Sequence, residues 1–150
     1  MKVKVSEATG KVLDYLAACV ELITFPSLKH LEYPDDAPWF LHPDGTIRSA
    51  QEIPSNAMSR HYDYTFWSPS TDWAQGGPII EREKIGVLPD DGHRFSQWRA
   101  FCWHPSQHDL TFEDATSHME AGSTLLIAAM RCFVASRLGD EVDVPEELLQ

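Results

Sequence analysis

The strongest constraint on this chain is the stretch at residues 125–138. Leu125, Leu126, Ile127, Met130, Phe133 and Val134, with alanines and Cys132 between them, put apolar groups on almost every face of a helix. A helix of that kind is stable only when it is covered on most sides. It is too short for a membrane span, which needs about 20 apolar residues, and Arg131 interrupts it. Ser123 is the predicted N-cap, and Gly139 marks the stop. Arg137 in the last turn suits the helix dipole. The rest of the chain must therefore supply the cover.

Several segments can do so. Val3 and Val5 alternate with lysines, which predicts a short extended segment, and Ser6 is a predicted N-cap. Leu13, Leu16, Ala17, Val20 and Ile23 then recur at helical spacing. They predict a helix over about 7–23 that ends at Phe25-Pro26, because a proline disfavours helix in the residue before it. Tyr62, Tyr64 and Phe66 alternate with polar residues as in a half-buried strand. Pro78 predicts the first turn of a short helix, where its missing N–H costs nothing. Ile85 to Leu88, the turn Pro89-Asp90-Asp91-Gly92 and the run 95–103 predict a hairpin, with Trp98, Ala100 and Cys102 on one face. His108 to Phe112 reads as another short strand. Five prolines punctuate residues 26–60, which predicts irregular structure, a turn at residues 42–45 and one or two short strands, one of them at Trp39-Phe40-Leu41. The fold class is α+β: a mostly antiparallel sheet packed with an N-terminal helix and a buried C-terminal helix. Residues 1–139 form one domain, followed by an acidic tail over 140–150.

The net charge of -11 disfavours phosphate backbones and anionic lipid as partners. The last eleven residues hold five acids and no base, so nearly half of that charge belongs to the tail. Val142, Val144, Leu148 and Leu149 make it either a partner-binding segment or a terminal segment pinned by its apolar residues. The three cysteines, Cys19, Cys102 and Cys132, are odd in number and not closely spaced. They suggest buried thiols in a reducing compartment, the cytoplasm of a host cell, rather than a disulfide framework.

Two long stretches carry a resemblance. Ser68-Pro-Ser-Thr-Asp-Trp-Ala-Gln-Gly-Gly-Pro-Ile-Ile-Glu-Arg-Glu83 looks like the signature of the NinX-like family of phage and prophage proteins. The stretch from Leu126 to Glu141 resembles that family's C-terminal helix, and residues 3–14 are similar as well. The resemblance implies a small accessory protein of a phage or prophage genome. It implies no reaction, so no catalytic residue is carried over.

The loop at 68–78 is the candidate ligand site. Adjacent Gly76 and Gly77 allow unusual backbone and close approach, and they lead into a helix N-terminus, which favours anions. Trp67 and Trp73 can form a flat wall, Asp72 and Gln75 can fix a ligand's orientation by hydrogen bonds, and Ser70 and Thr71 complete the candidate set. The competing reading is a tight strand-to-helix corner capped by Asp72 and plugged by Trp73. Glu81, Arg82 and Glu83 read as a solvated charged turn. Cys102, His104 and His108 match no common zinc spacing, with His93 and His118 no better placed. No metal, cofactor or catalytic set is assigned.

The leading functional reading is a non-catalytic module that binds a nucleotide-like small molecule or a host or phage protein, with no direct contact to nucleic acid or membrane. A homo-oligomer is compatible with it. One alternative is a small enzyme on phosphorylated or amide substrates, using Asp72, Gln75 and the 76–78 backbone. Another is an acidic inhibitor of a basic host protein.

Overall fold

The structure is a computed structural model. It describes residues 1–24, 39–41, 47–53, 61–90, 97–102 and 119–149. In chain order the elements are β1 (Lys2–Lys4), α1 (Gly10–Thr24), β2 (Trp39–Leu41), β3 (Ile47–Ile53), β4 (His61–Phe66), α2 (Trp73–Glu83), β5 (Gly86–Pro89), β6 (Trp98–Phe101), β7 (Met119–Gly122), α3 (Leu125–Leu138) and β8 (Glu141–Asp143). The strands form two three-stranded antiparallel sheets, β2-β3-β4 and β5-β6-β7, and an antiparallel ribbon of β1 and β8. The fold is α+β, with the C-terminal helix packed on a sheet.

The all-round apolar helix is the centre. α3 meets β5, β6 and β7 on one side, and α1 and α2 on others. Its Ala128, Ala129, Met130, Cys132, Phe133 and Val134 are all buried. Each large side chain among them contributes about 1.5–3 kcal/mol by leaving water. α1 supplies Leu13, Leu16, Ala17 and Val20 to the same core. Two glycines permit the close packing. The chain of α3 rests directly on β7, where a Cβ on Gly122 would lie 2.9 Å from the Ala128 Cα. Gly86 pairs with Phe101 across the β5–β6 hairpin, and the Phe101 ring occupies the place of the missing side chain.

Arg131, the charge inside the apolar helix, is put to structural use. Its Nε donates to the Ala8 carbonyl (2.9 Å) and its Nη1 to the Ala121 carbonyl (2.7 Å). It thereby ties α3 to the turn before α1 and to β7. Burial lowers its pKa, and the charges of Glu120 and Glu7 partly offset that.

The ends of elements depart from the sequence reading in instructive ways. α1 begins at Gly10 rather than near residue 7, because Val5–Glu7 closes into a 3-10 turn that holds Ser6. That turn buries Val5 completely, and the Val5 amide donates to the Asp140 carbonyl (2.9 Å). Thr124, not Ser123, caps α3, its Oγ1 accepting from the Ile127 amide (3.2 Å). Gly139 ends that helix at φ 87°, as its position suggests. α2 begins five residues earlier than Pro78 predicts, so the proline lies inside the helix. It gives up the bond to the Ala74 carbonyl, and both residues are exposed, where solvent can replace it.

The strands expected at 39–41, 62–66 and in the 85–103 hairpin are present. The hairpin buries Ala100 and Cys102 and leans Trp98 on the core. β3 is the further strand of the proline-rich region. The turn placed at 89–92 begins later than expected, since Pro89 ends β5 opposite Trp98 and the Asp90 amide donates to the Gln97 carbonyl (2.9 Å). Residues 91–92, the turn placed at 42–45 and the strand placed at 108–112 lie outside the described residues, as do Trp103 and the histidines at 93, 104, 108 and 118. The acidic segment after Gly139 is pinned by its apolar residues. β8 pairs with β1, with Val3 opposite Val142, and Val144 and Leu148 enter the interior. No helix among the described residues is long and apolar enough to cross a membrane.

Candidate functional site

The chain leaves β4 at Phe66 and turns through residues 67–72 into α2. Local hydrogen bonds dictate the turn. The Ser68 carbonyl accepts from the Thr71 amide (3.0 Å) and the Asp72 amide (2.8 Å). Asp72 is the N-cap of α2: its carboxylate accepts from the Ala74 amide at 2.9 Å, while its carbonyl takes the amides of Gln75 and Gly76. The Gln75 side chain folds back and accepts from the Ser68 amide at 2.6 Å. A capping carboxylate and a folded-back Gln thus close the corner from both sides.

The corner is then fastened to α1. The Trp67 indole donates to the Asp14 carbonyl (3.1 Å), and the Ser70 amide donates to the Asp14 carboxyl (2.9 Å). Asp14 is only 5% exposed. Burial pushes its pKa up to about 6, and the Ser70 amide, with a weaker contribution from the Ser70 hydroxyl, holds it from rising further. That hydroxyl is buried without forming a full hydrogen bond among the described residues.

The two glycines have unlike roles, and neither has a positive φ. Both lie in the helix, not in a corner before it. Gly76 is buried against the loop and α3. A Cβ there would overlap the Pro69 carbonyl oxygen and come within 2.7 Å of Leu126 Cδ2. Gly77 has room: its nearest neighbour would be Trp73 Cε3 at 3.9 Å. Trp73 itself is 58% exposed, so it does not plug the core. Its ring lies along the outer face of α2 beside Gly77, one turn on, and Ala74 and Pro78 of the same helix are exposed.

All eight candidate ligand residues therefore fall on one loop and one helix end, but they face different ways. Trp67, Asp72, Gln75 and Gly76 are engaged with the protein's own backbone, and Ser70 with the Asp14 carboxyl. Thr71, Trp73 and Gly77 lie towards solvent. The N-terminus of α2 already holds a carboxylate, which opposes a second anion there.

The charged run at the other end of α2 is not a solvated turn. Arg82 pairs with Glu21 of α1 and with Glu83 (2.9 Å), and Glu83 pairs with Arg137 of α3 (2.8 Å). Glu21 is 7% exposed, so the chain of four charges joins the three helices in partly desolvated surroundings. Burial opposes the charge on Arg82, but its two carboxylate partners outweigh that and raise its pKa. Asp14 and Glu21 do not stand out in the sequence as site residues. Their signal is spacing: two acids seven apart on the stripe that holds Leu13, Ala17 and Val20.

Among the described residues no three His, Cys, Asp or Glu side chains group to hold a metal ion. Cys102 and Cys132, far apart in sequence, meet inside the protein with their sulfurs 2.7 Å apart.

None of the curated proteins matches the chain. The family model of bacteriophage P22 NinX matches residues 4–137, which takes in α1, α2, α3 up to its last residue and both three-stranded sheets, and stops short of β8. With the 68–83 signature now seen as the corner that locks α2 to α1 and α3, the chain belongs to the bacteriophage P22 NinX family.

Proposed function

We propose that this protein is a non-catalytic phage accessory module that works in the host cytoplasm and docks a partner protein on the outer face of α2, with Trp73 as the anchor. The carrying observation is the exposure of Trp73 on a helix whose other aromatic and polar neighbours are used internally. An indole offers a large apolar area with few rotatable bonds, which suits the centre of an interface. Ala74, Gly77 and Pro78 leave a low surface around it, and Asp72 and Glu81 stand at its two ends. A partner surface with an apolar centre and a basic rim complements this arrangement. A nucleotide-like ligand is less well served, because its phosphate would meet the Asp72 carboxylate at the helix N-terminus.

The test is affinity purification from phage-carrying host cells, comparing wild type with Trp73→Ala. A defined protein should be recovered with wild type and lost with the variant, while the melting temperature stays within about 2 °C. Recovery of the same protein by both would overturn the reading. A nucleotide that raises the wild-type melting temperature, but not that of Trp73→Ala, would return this face to small-molecule binding.

A further inference from the structure

Cys102 leaves the end of β6 and Cys132 lies in the middle of α3, where the sheet packs on the central helix. Both are buried; Cys102 is 9% exposed and Cys132 fully enclosed. Their sulfurs are 2.7 Å apart, closer than the roughly 3.5–4.0 Å at which non-bonded heavy atoms settle. Two thiols in such contact need little movement to bond. The third cysteine, Cys19, is half-buried on α1.

We propose that Cys102 and Cys132 form a redox modification site that closes to a disulfide by exchange with a small disulfide of the glutathione type. The Cys102 thiolate attacks one sulfur of the small disulfide. This forms a mixed disulfide and expels the first small thiolate, which takes up the proton Cys102 gave. Cys132 then loses its proton and attacks the Cys102 sulfur, expelling the second small thiol. The protein pair loses two electrons and two protons, and the small disulfide becomes two thiols.

The order of attack follows from position. Cys102 is at the margin of the core, where an oxidant can reach it first. Cys132 is sealed behind it, and the neighbouring Cys102 together with burial holds its thiol well above the ordinary range. Cys132 is thus inert until its neighbour becomes an electrophile. The resulting bond staples β6 to α3 and closes a ring that contains residues 103–131.

The experiment uses the full chain with Cys19→Ser, incubated natively with oxidised glutathione, then unfolded, alkylated and weighed. The expected product is 2 Da lighter, takes no alkylating agent, and melts about 5–10 °C higher until dithiothreitol is added. Cys102→Ser and Cys132→Ser, each in the same background, should show no upward shift. If both thiols remain open to alkylation after prolonged oxidation, the proposal fails. It also fails if only a stable glutathione adduct accumulates, or if the bond forms and lowers the melting temperature. The first measurement does not depend on either serine variant folding.

Discussion

Gly76 and Gly77 are adjacent in the chain, and they belong to two different surfaces. Gly76 faces inward, where the Pro69 carbonyl and Leu126 fill the space a side chain would need. Gly77 faces outward beneath the Trp73 ring, with open room around it. The inner side of α2 is crowded and wired: Ile79 in the core, Gln75 on the Ser68 amide, and Arg82 on Glu21. The outer side carries Trp73, Ala74, Pro78 and Glu81, all exposed. A helix with one face committed to the fold and the other left to an exposed indole, small residues and one acid separates stability from recognition.

Substitutions on the two faces should diverge, and the largest effect belongs to Gly76. Gly76→Ala pushes a methyl into a backbone carbonyl that cannot rotate away, so unfolding should become easier by about 3 kcal/mol or more, read by chemical denaturation. A loss below about 1 kcal/mol would mean that the loop can shift, and the contrast between the faces would weaken.

The inner wiring also has a pH signature. Asp14 has a folded pKa near 6 against 3.8 in the open chain. Between those values the folded protein holds a proton that the unfolded chain has released, so stability falls as pH rises from about 4 to 6. Above that window the buried charge costs at most about 3 kcal/mol. Asp14→Asn keeps an oxygen for the Ser70 amide. It should flatten this part of the profile and gain stability at pH 7 but not at pH 4. Parallel wild-type and variant profiles would remove Asp14 as the cause.

Smaller effects mark the helix end and the outer face. Asp72→Ala removes the cap and should cost about 1 kcal/mol. Gly77→Ala should stabilise the protein by about 0.5–1 kcal/mol, because alanine suits a helix better and meets nothing within 3.9 Å. The opposite signs expected for Gly76→Ala and Gly77→Ala are the sharpest test of the comparison, and calorimetry on the pair suffices.

Much of this fold is legible in the sequence. The apolar run at 125–138 announces its burial because no face is left for water, and the alternation at 62–66 and 98–102 announces strands because pleating has period two. The corner between strand and helix is legible within 68–78, and Asp72 as its cap, although the corner itself ends at Asp72. What the string did not display is direction. A Gly-Gly pair reads as loop, because it is costly within a helix unless something presses against it; here Pro69 and Leu126 press on Gly76. Pro78 reads as a first turn, since its lost hydrogen bond is free only there, but exposure of Ala74 lowers that cost. The charged triplet Glu81-Arg82-Glu83 reads as solvated until Glu21 and Arg137 arrive from two other helices. The meeting of Cys102 with Cys132 is likewise a property of packing, invisible in spacing.

The β1–β8 ribbon sets a clock on the protein's synthesis. Val3 waits for Val142, and the buried Val5 waits for the Asp140 carbonyl. A ribosome making about 5–20 residues per second separates these partners by on the order of ten seconds. During that time the first strand and the apolar face of α1 lack the helix that will cover them. Closing so long a loop is slow as well as late. The early chain is therefore at its most vulnerable to proteases and to sticking to its neighbours until α3 covers α1, and the pairing of β8 with β1 then closes the ribbon.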